Sequence, residues 1–258
     1  MKKVAKEWGE TWRKTQVDYD RDIHAMISSP DEHEFLKLLG RYIKKECWVL
    51  EAGCGYGHKC VYFSRYLGAN VIGIDLVKEP LKTLNNYLKT HSNLRVFAVV
   101  GDVTKLPFRK EVFDIVTSFG VIEHFRSERE VIESLVESRR VLKTKGCLIL
   151  CIPNFAATFR NKMIIALSRG RFGMYHRPLT KSSLLRFFSP GWKMVEEGYL
   201  PSDFKNIILE MIGKHSVEKT IYFLYHITWR VLNFLLKIIS HGDYQNPIYI
   251  VMEKAYNG

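Results

Sequence analysis

The most constraining feature of the sequence is an alternation of short apolar runs with helical stretches between residues 47 and 154. Continuous apolar runs are typical of strands buried on both faces, and their alternation with helices indicates βαβ units around a parallel sheet. The predicted strands cover residues 47–53, 69–75, 94–102, 113–120 and 147–154, and the predicted helices cover residues 58–67, 79–89 and 128–142. The pattern therefore predicts an α/β fold with a doubly wound sheet.

A glycine-rich turn follows the first predicted strand and precedes the first helix. It reads Glu51-Ala52-Gly53-Cys54-Gly55-Tyr56-Gly57. Glycines let the backbone turn tightly and let a ligand approach the main chain, and nucleotides bind at this edge of an open α/β sheet. The dinucleotide fingerprint G-x-G-x-x-G would place its third glycine at position 58, which is His58. The loop alone does not identify the ligand.

Two aspartates end the next two predicted strands. Asp75 closes the run VIGID and precedes Leu76, and Asp102 follows the third strand and precedes Val103. A carboxylate at the end of the second strand can accept hydrogen bonds from both hydroxyls of a ribose. The Asp102 carboxylate can accept from the amino group of an adenine while Val103 covers the ring. Each aspartate also has a structural alternative, which is a helix N-cap for Asp75 and a turn for Asp102.

A loop with a glutamate–histidine pair follows the fourth predicted strand. The segment covers residues 113–125 and contains Phe119, Glu123 and His124. Histidine titrates near neutral pH, so His124 is the predicted general base for an acceptor that must lose a proton. The alternative is that His124 only supports the loop. His176, in the basic segment that follows the fifth strand, is a second and weaker base candidate.

Together these motifs resemble the class I methyltransferases that use S-adenosyl-L-methionine (SAM), in the branch of the ubiquinone/menaquinone C-methylases and many small-molecule methylases. The matching runs are VLEAGCGYG, VIGID, GDVTKLPF, FDIVTSFGVIEHF and RVLKTKGCLILCIPN. The resemblance implies a Rossmann-like, seven-stranded sheet whose last strand is antiparallel. It also implies the cofactor contacts, with Glu51, Gly53, Gly55 and Gly57 around the methionine part, Asp75 at the ribose, and Asp102 with Val103 at the adenine. We expect Cys54, Leu76 and Phe119 to border the same cofactor.

Outside residues 47–154 the resemblance fades, and we expect the acceptor to be bound there. We predict an N-terminal helical lid over residues 1–45 and a methyltransferase domain over residues 46–258. Two cap insertions, at residues 155–190 and 204–241, surround the last predicted strands, which cover 192–200 and 246–255.

The formal net charge of the chain is +12, and much of the surplus lies in its C-terminal half. Residues 159–240 carry 13 lysines and arginines against 5 acidic residues. A basic and apolar segment is typical of a protein that contacts an anionic surface or substrate, although a positive charge also keeps a protein soluble.

A helix predicted over residues 219–241 carries its polar side chains in one narrow band. At about 100° per residue, that band contains Lys219, His226, Arg230, Asn233, Lys237 and His241. A membrane-spanning helix is disfavoured, because Arg230 would lie near the middle of the apolar stretch. Two alternatives remain, which are a core or homodimer helix packed on the cap, and a helix that lies in a membrane interface.

The favoured function is a SAM-dependent methyltransferase that acts on a small-molecule or lipid-like acceptor. The alternatives are an RNA methyltransferase, a cyclopropane-forming lipid enzyme that also uses SAM, and a catalytically silent SAM-binding protein. The net charge alone favours RNA, and we find no RNA-binding module, so a nucleic-acid partner is disfavoured.

The five cysteines show neither disulfide nor metal-ligand spacing, so we predict no metal site. The first residues show no apolar signal-peptide region. These features favour a cytoplasmic protein, with membrane association as the alternative.

Overall fold

A computed structural model of the chain describes residues 8–10, 12, 16–153, 177–200 and 247–255. His176, the predicted insertion over residues 204–241 and most of the insertion over residues 155–190 lie outside the described residues. The helix over residues 219–241 and its basic band therefore stay predictions.

The described strands form one seven-stranded sheet. They are β1 (Trp48–Ala52), β2 (Asn70–Asp75), β3 (Val96–Val100), β4 (Phe113–Phe119), β5 (Leu142–Ile152), β6 (Trp192–Tyr199) and β7 (Ile248–Lys254). Their order across the sheet is β3-β2-β1-β4-β5-β7-β6. Strands β1 to β5 pair in parallel, and β7 pairs antiparallel with both β5 and β6. The predicted α/β fold, with seven strands and an antiparallel last strand, is confirmed.

The helices of the described residues lie between the strands and before β1. They are α1 (Tyr19–Ser28), α2 (Pro30–Tyr42), α3 (His58–Leu67), α4 (Lys78–Lys89), α5 (Glu128–Val141) and α6 (Lys181–Leu185), with a 3₁₀ turn at Ile122–His124. Residues 8–10 and 12 are also helical. None of these helices is long and apolar enough to cross a membrane.

Hydrophobic clusters cover both faces of the sheet. Val49 belongs to one cluster and its neighbour Leu50 to the other, and both are fully buried. Successive residues of a strand point to opposite faces, so a strand covered on both sides must be apolar throughout. This double burial is the physical reason for the continuous apolar runs in the sequence.

The N-terminal helices α1 and α2 pack into the same cluster as Val49. Ile23 of α1 is 1% exposed and Leu39 of α2 is fully buried. The hydroxyl of Tyr19 donates to the carbonyl oxygen of Tyr56 at 2.7 Å. The helices predicted ahead of the sheet are therefore present, and α1 contacts the glycine loop directly.

Strand β5 begins five residues earlier than the apolar run indicates, at Leu142, directly after α5. Leu142 pairs with Phe113, and the ammonium of Lys143 lies 2.8 Å from a carboxylate oxygen of Asp114. The extension carries polar residues because Thr144 and Lys145 are exposed to solvent. Hydrophobicity alone therefore could not show where this strand begins.

From β1 the chain adds β2 and β3 on one side of the sheet and then returns to add β4 on the other side of β1. Strands β1 and β4 are therefore neighbours in the sheet, and the order of the strands reverses between them. In open α/β sheets, the crevice beyond the carboxyl ends of the strands at such a switch point is where ligands bind. The glycine loop after β1 and the 3₁₀ turn after β4 lie at this position.

Candidate active site

The loop that follows β1 is built on glycines in the left-handed backbone region. Gly53, Gly55 and Gly57 have φ angles of 80°, 52° and 71°. The N–H groups of Gly53 and Cys54 both donate to the carbonyl oxygen of Ile74, at 2.8 and 3.0 Å. Residues with a side chain rarely adopt this region, so the glycines allow the loop to fold back on β2.

Close packing also requires glycine in this loop. A Cβ on Gly53 would lie 2.4 Å from Val121 Cγ2, in the loop after β4. A Cβ on Gly57 would lie 2.7 Å from Leu84 Cδ2 of α4. The first and third glycines therefore bring neighbouring elements against the loop as well as shaping it.

Glu51, at the end of β1, presents a carboxyl group that is almost fully buried, with 5% of the residue exposed. The thiol of Cys60 in α3 donates to Glu51 Oε2 at 2.8 Å. Burial raises the pKa of Glu51 to about 7, and the Cys60 hydrogen bond opposes that rise. A nearby cation would favour the ionised carboxylate, so the site is suited to a positively charged ligand group.

Asp75, at the end of β2, connects three backbone segments. Its Oδ2 accepts from the N–H of Gly55 and its Oδ1 from the N–H of Val77, both at 2.8 Å. Burial raises the pKa of Asp75, against the hydrogen bonds from Val77 and Gly55. The N-cap position of α4 is held by Val77, so Asp75 is not the helix cap that the sequence left as its alternative. A carboxylate oxygen has more than one acceptor site, so Asp75 can still receive ligand hydroxyls.

Asp102 and Val103 follow β3, where the chain turns. Asp102 Oδ1 accepts from the backbone N–H and the hydroxyl of Thr104, at 2.8 and 2.7 Å. This arrangement matches the turn alternative for Asp102. Val103 borders the cavity described next and Asp102 does not, so contact between Asp102 and an adenine stays a prediction.

A cavity of about 430 Å³ lies over the glycine loop and the ends of β1, β2 and β4. Of the residues predicted to bind the cofactor or to act in catalysis, those that border it are Glu51, Gly53, Cys54, Gly55, Asp75, Leu76, Val103, Phe119 and His124. Gly57 and Asp102 do not border it. The sequence motifs, which are far apart in the chain, therefore come together around one space.

Several further residues of this cavity were not predicted from the sequence. They are Trp8, Trp12, Tyr56, His58, Lys59, Val77, Gly101, Gly120, Val121 and Phe125. Most of them are immediate neighbours of the motif residues in the sequence, so their proximity to the motifs could have identified them. Trp8 and Trp12 belong to the predicted N-terminal helical lid, but no pattern in the sequence indicates that they lie over the glycine loop.

The two tryptophans form an aromatic cover over the loop. The rings of Trp8 and Trp12 stack with centroids 5.2 Å apart, and Trp12 contacts the Tyr56 ring edge-on at 5.1 Å. The hydroxyl of Tyr56 donates to the carbonyl oxygen of Trp12 at 2.6 Å. Trp8 also contacts the ring of His124 edge-on at 4.9 Å. The cover therefore connects the glycine loop after β1 to the 3₁₀ turn after β4.

The 3₁₀ turn places two titratable side chains beside the cavity. His124 is 9% exposed, and its Nε2 lies 4.0 Å from Glu123 Oε1. Glu123 is 1% exposed, and its Oε2 has no hydrogen-bond partner among the described residues. Burial raises the pKa of Glu123 to about 8, so its carboxyl group is largely protonated at neutral pH.

These residues fit SAM as a ligand. The Asp75 carboxylate suits ribose hydroxyls, Leu76, Val77 and Val103 supply apolar contact for an adenine, and the buried Glu51 carboxyl suits a cationic amino acid group. All of them border the same cavity, at the switch point of the sheet. Fold and cavity together define a class I, SAM-dependent methyltransferase domain.

Comparison with known proteins identifies the same family. Residues 50–150 match the family model described as Methyltransferase domain. The demethylmenaquinone methyltransferase of Thermobifida fusca is 30% identical over 156 residues, which cover 54% of this chain and 64% of that enzyme. An uncharacterized protein of Methanocaldococcus jannaschii is 28% identical over 212 residues, which cover 80% of this chain and 83% of that protein.

A solved structure shares the fold of this chain. The geranyl diphosphate C-methyltransferase of Streptomyces coelicolor A3(2), in complex with Mg²⁺, geranyl diphosphate and S-adenosyl-L-homocysteine (SAH), superposes with a TM-score of 0.67. The superposition covers 98% of each chain at 15% sequence identity, so the likeness is one of fold.

The chain therefore carries a SAM-dependent methyltransferase domain, and the resemblance inferred from its motifs is confirmed. The chain spans between 31% and 64% of the length of the named methyltransferases that it matches in sequence. Matches over part of each enzyme do not identify the acceptor of this protein.

The conformation of the glycine loop generates a first prediction. Gly53→Ala should weaken SAH binding by at least about tenfold, because a residue with a side chain costs about 1–2 kcal/mol in the left-handed region and its Cβ would overlap Val121. Isothermal titration calorimetry measures the affinity. Gly40→Ala is the control, since nothing lies within 4 Å of a Cβ added there. An unchanged SAH affinity in Gly53→Ala would contradict the described loop.

The role of Asp75 generates a second prediction. Asp75→Ala should weaken SAH binding by about 10–100-fold, because a hydrogen bond to a charged group contributes about 1.5–3 kcal/mol. Asp114→Ala is a matched control, since Asp114 also accepts a backbone N–H, that of Trp48 at 2.8 Å, but lies at the opposite end of the sheet. If the two variants bind SAH equally well, Asp75 does not contact the ligand.

Proposed function

We propose that the protein transfers the methyl group of SAM to a small-molecule or lipid-like acceptor. The observation that carries the proposal is the aromatic wall on the side of the cavity beside the end of β4 and its following loop, here called the reactive side. Trp8, Phe119 and Phe125 border the cavity together with His124. Apolar walls with a few polar groups are typical of pockets for small molecules.

A nucleic-acid acceptor has less support among the described residues. Proteins that bind nucleic acids follow the phosphate backbone with lysines and arginines. Of the described residues that border the cavity, one, Lys59, is a lysine or arginine. An extended polyanion would find little basic surface at this cavity.

The names of several relatives agree with a small-molecule acceptor. One relative is named as a demethylmenaquinone methyltransferase and one structural neighbour as a geranyl diphosphate C-methyltransferase. Both of these named acceptors contain an isoprenoid part. This agreement supports the class of acceptor and leaves its identity to experiment.

In this proposal, bound SAM supplies an electrophilic methyl group, so the protein is required mainly to position the acceptor and exclude water. Trp8 and Trp12 cover the loop side of the cavity and limit the access of water to it. His124 borders the reactive side and can take a proton at a ring nitrogen from an acceptor hydroxyl or amine. Glu123 lies beside it, with Oε1 4.0 Å from His124 Nε2, and burial raises the pKa of Glu123 to about 8, so its carboxyl group is largely neutral there.

A panel of acceptors tests the proposal. The purified protein should transfer radiolabelled methyl from SAM to isoprenoid quinone precursors, sterols or small amines, and the same assay should include total RNA. Label that enters RNA and none of the small molecules would contradict the proposed acceptor class. Inclusion of an unsaturated phospholipid detects the cyclopropane-forming alternative in the same experiment.

Two variants test His124 as the general base. His124→Ala should lower kcat by about 10²–10⁴-fold while the affinity for SAH stays close to that of the parent. His124→Phe keeps an aromatic ring against Trp8 and removes the titratable nitrogen, so it should lose activity equally. A phenylalanine variant with the kcat of the parent would show that His124 only supports the loop. His33→Ala, an exposed position in α2, serves as the control.

A further inference from the structure

Lys59 is the cationic residue in the wall of the cavity. It is the second residue of α3, two positions after Gly57, and its side chain is 23% exposed. The neighbouring His58 also borders the cavity, and its Nε2 lies 3.4 Å from Asp22 Oδ2 of α1. The family comparison assigns no role to Lys59, and neither do the sequence motifs.

Aromatic rings hold the Lys59 ammonium in place. Its Nζ lies 5.9 Å from the ring centroid of Phe35 and 5.7 Å from that of Phe119, and these two rings contact each other edge-on at 4.9 Å. Ring faces stabilise a cation at these distances. The nearest carboxylate oxygen, Glu32 Oε2, is 4.0 Å away, which is too long for a hydrogen bond.

The N–H groups of this ammonium are therefore not used by the fold. No hydrogen bond among the described residues involves Lys59 Nζ. An ammonium has three donors, and a mostly buried one is stabilised by a charged acceptor. The rings fix the position of the charge and leave the donors for a ligand in the cavity.

Glu51 provides the opposite charge in the same cavity. Its carboxyl group is fixed by the thiol of Cys60, the residue that follows Lys59 in α3. The positive charge of Lys59 helps to lower the pKa of Glu51, so the two groups interact electrostatically. One end of the cavity thus presents an ammonium and a carboxyl group, which is the complement of an α-amino acid zwitterion.

We propose that Lys59 binds the α-carboxylate of the methionyl part of SAM, while Glu51 receives its α-ammonium. The inference rests on the use of SAM in the proposed function and names the residue that recognises the acid group. The contact between Lys59 and the carboxylate makes the protein selective for cofactors that keep this group. Lys59 is then a binding residue whose loss changes affinity without changing the acceptor site.

A comparison of two ligands in one variant tests this directly. Lys59→Met keeps a long side chain between Phe35 and Phe119 and removes the charge. By calorimetry, it should bind SAM about 10–100-fold more weakly than the parent, and it should bind decarboxylated SAM with an affinity within about threefold of that of the parent. Lys59→Arg should retain most of the SAM affinity.

A second charge variant is the matched control. Lys78→Met removes an exposed lysine at the start of α4, close to Val77 in the cavity wall, and should leave both affinities unchanged.

Three outcomes would overturn the proposal. An unchanged SAM affinity in Lys59→Met would show that the ammonium does not bind the cofactor. Equal losses for SAM and decarboxylated SAM would show that Lys59 acts on the shape of the cavity. An unchanged SAM affinity with a raised KM for the acceptor would assign the ammonium to the acceptor. Failure of the proposed function appears separately, as a parent protein that binds SAM but methylates none of the acceptors tested.

Discussion

Three consecutive N–H groups of the glycine loop are held by the end of β2, and the rest of the site depends on this attachment. Gly53 and Cys54 donate to the carbonyl oxygen of Ile74, and Gly55 donates to the carboxylate of Asp75. The left-handed glycines allow the backbone to reach these acceptors, and their lack of side chains lets Val121 approach from the loop after β4. The cavity exists because the ends of β1, β2 and β4 are joined at this loop.

The surroundings of this loop combine aromatic cover with buried carboxyl groups. Trp8 and Trp12 exclude water from one side, which strengthens electrostatic interactions inside the cavity. Burial raises the pKa values of Glu51 to about 7 and of Glu123 to about 8, so both carboxyl groups are poised to ionise near neutral pH. A cationic ligand lowers the pKa of a nearby carboxyl group. Binding of a positively charged cofactor and ionisation of Glu51 therefore favour each other.

Much of the sheet and of the cofactor site could be predicted because both rest on local signals. Double burial made the strands apolar, and backbone geometry required the glycines at positions 53, 55 and 57. The start of β5 was missed because Thr144 and Lys145 are exposed and polar. Trp8, Trp12 and Lys59 were missed because their roles come from tertiary contacts between distant segments, such as the packing of Lys59 between Phe35 of α2 and Phe119 of β4. Asp102 stays a predicted adenine contact, since its carboxylate accepts from Thr104 in a turn and does not border the cavity.

The central claim is that the cavity over the glycine loop binds an adenosyl amino acid cofactor. Calorimetric titration of the parent protein with SAH, and separately with NAD, tests it most directly. The loop departs from the dinucleotide spacing at His58, and the cavity presents Glu51 and Lys59 to an amino acid group rather than a basic cradle to a pyrophosphate. For such a site we expect saturable SAH binding with one site per chain and no measurable binding of NAD. Tight binding of NAD, or no binding of SAH by folded protein, would contradict it.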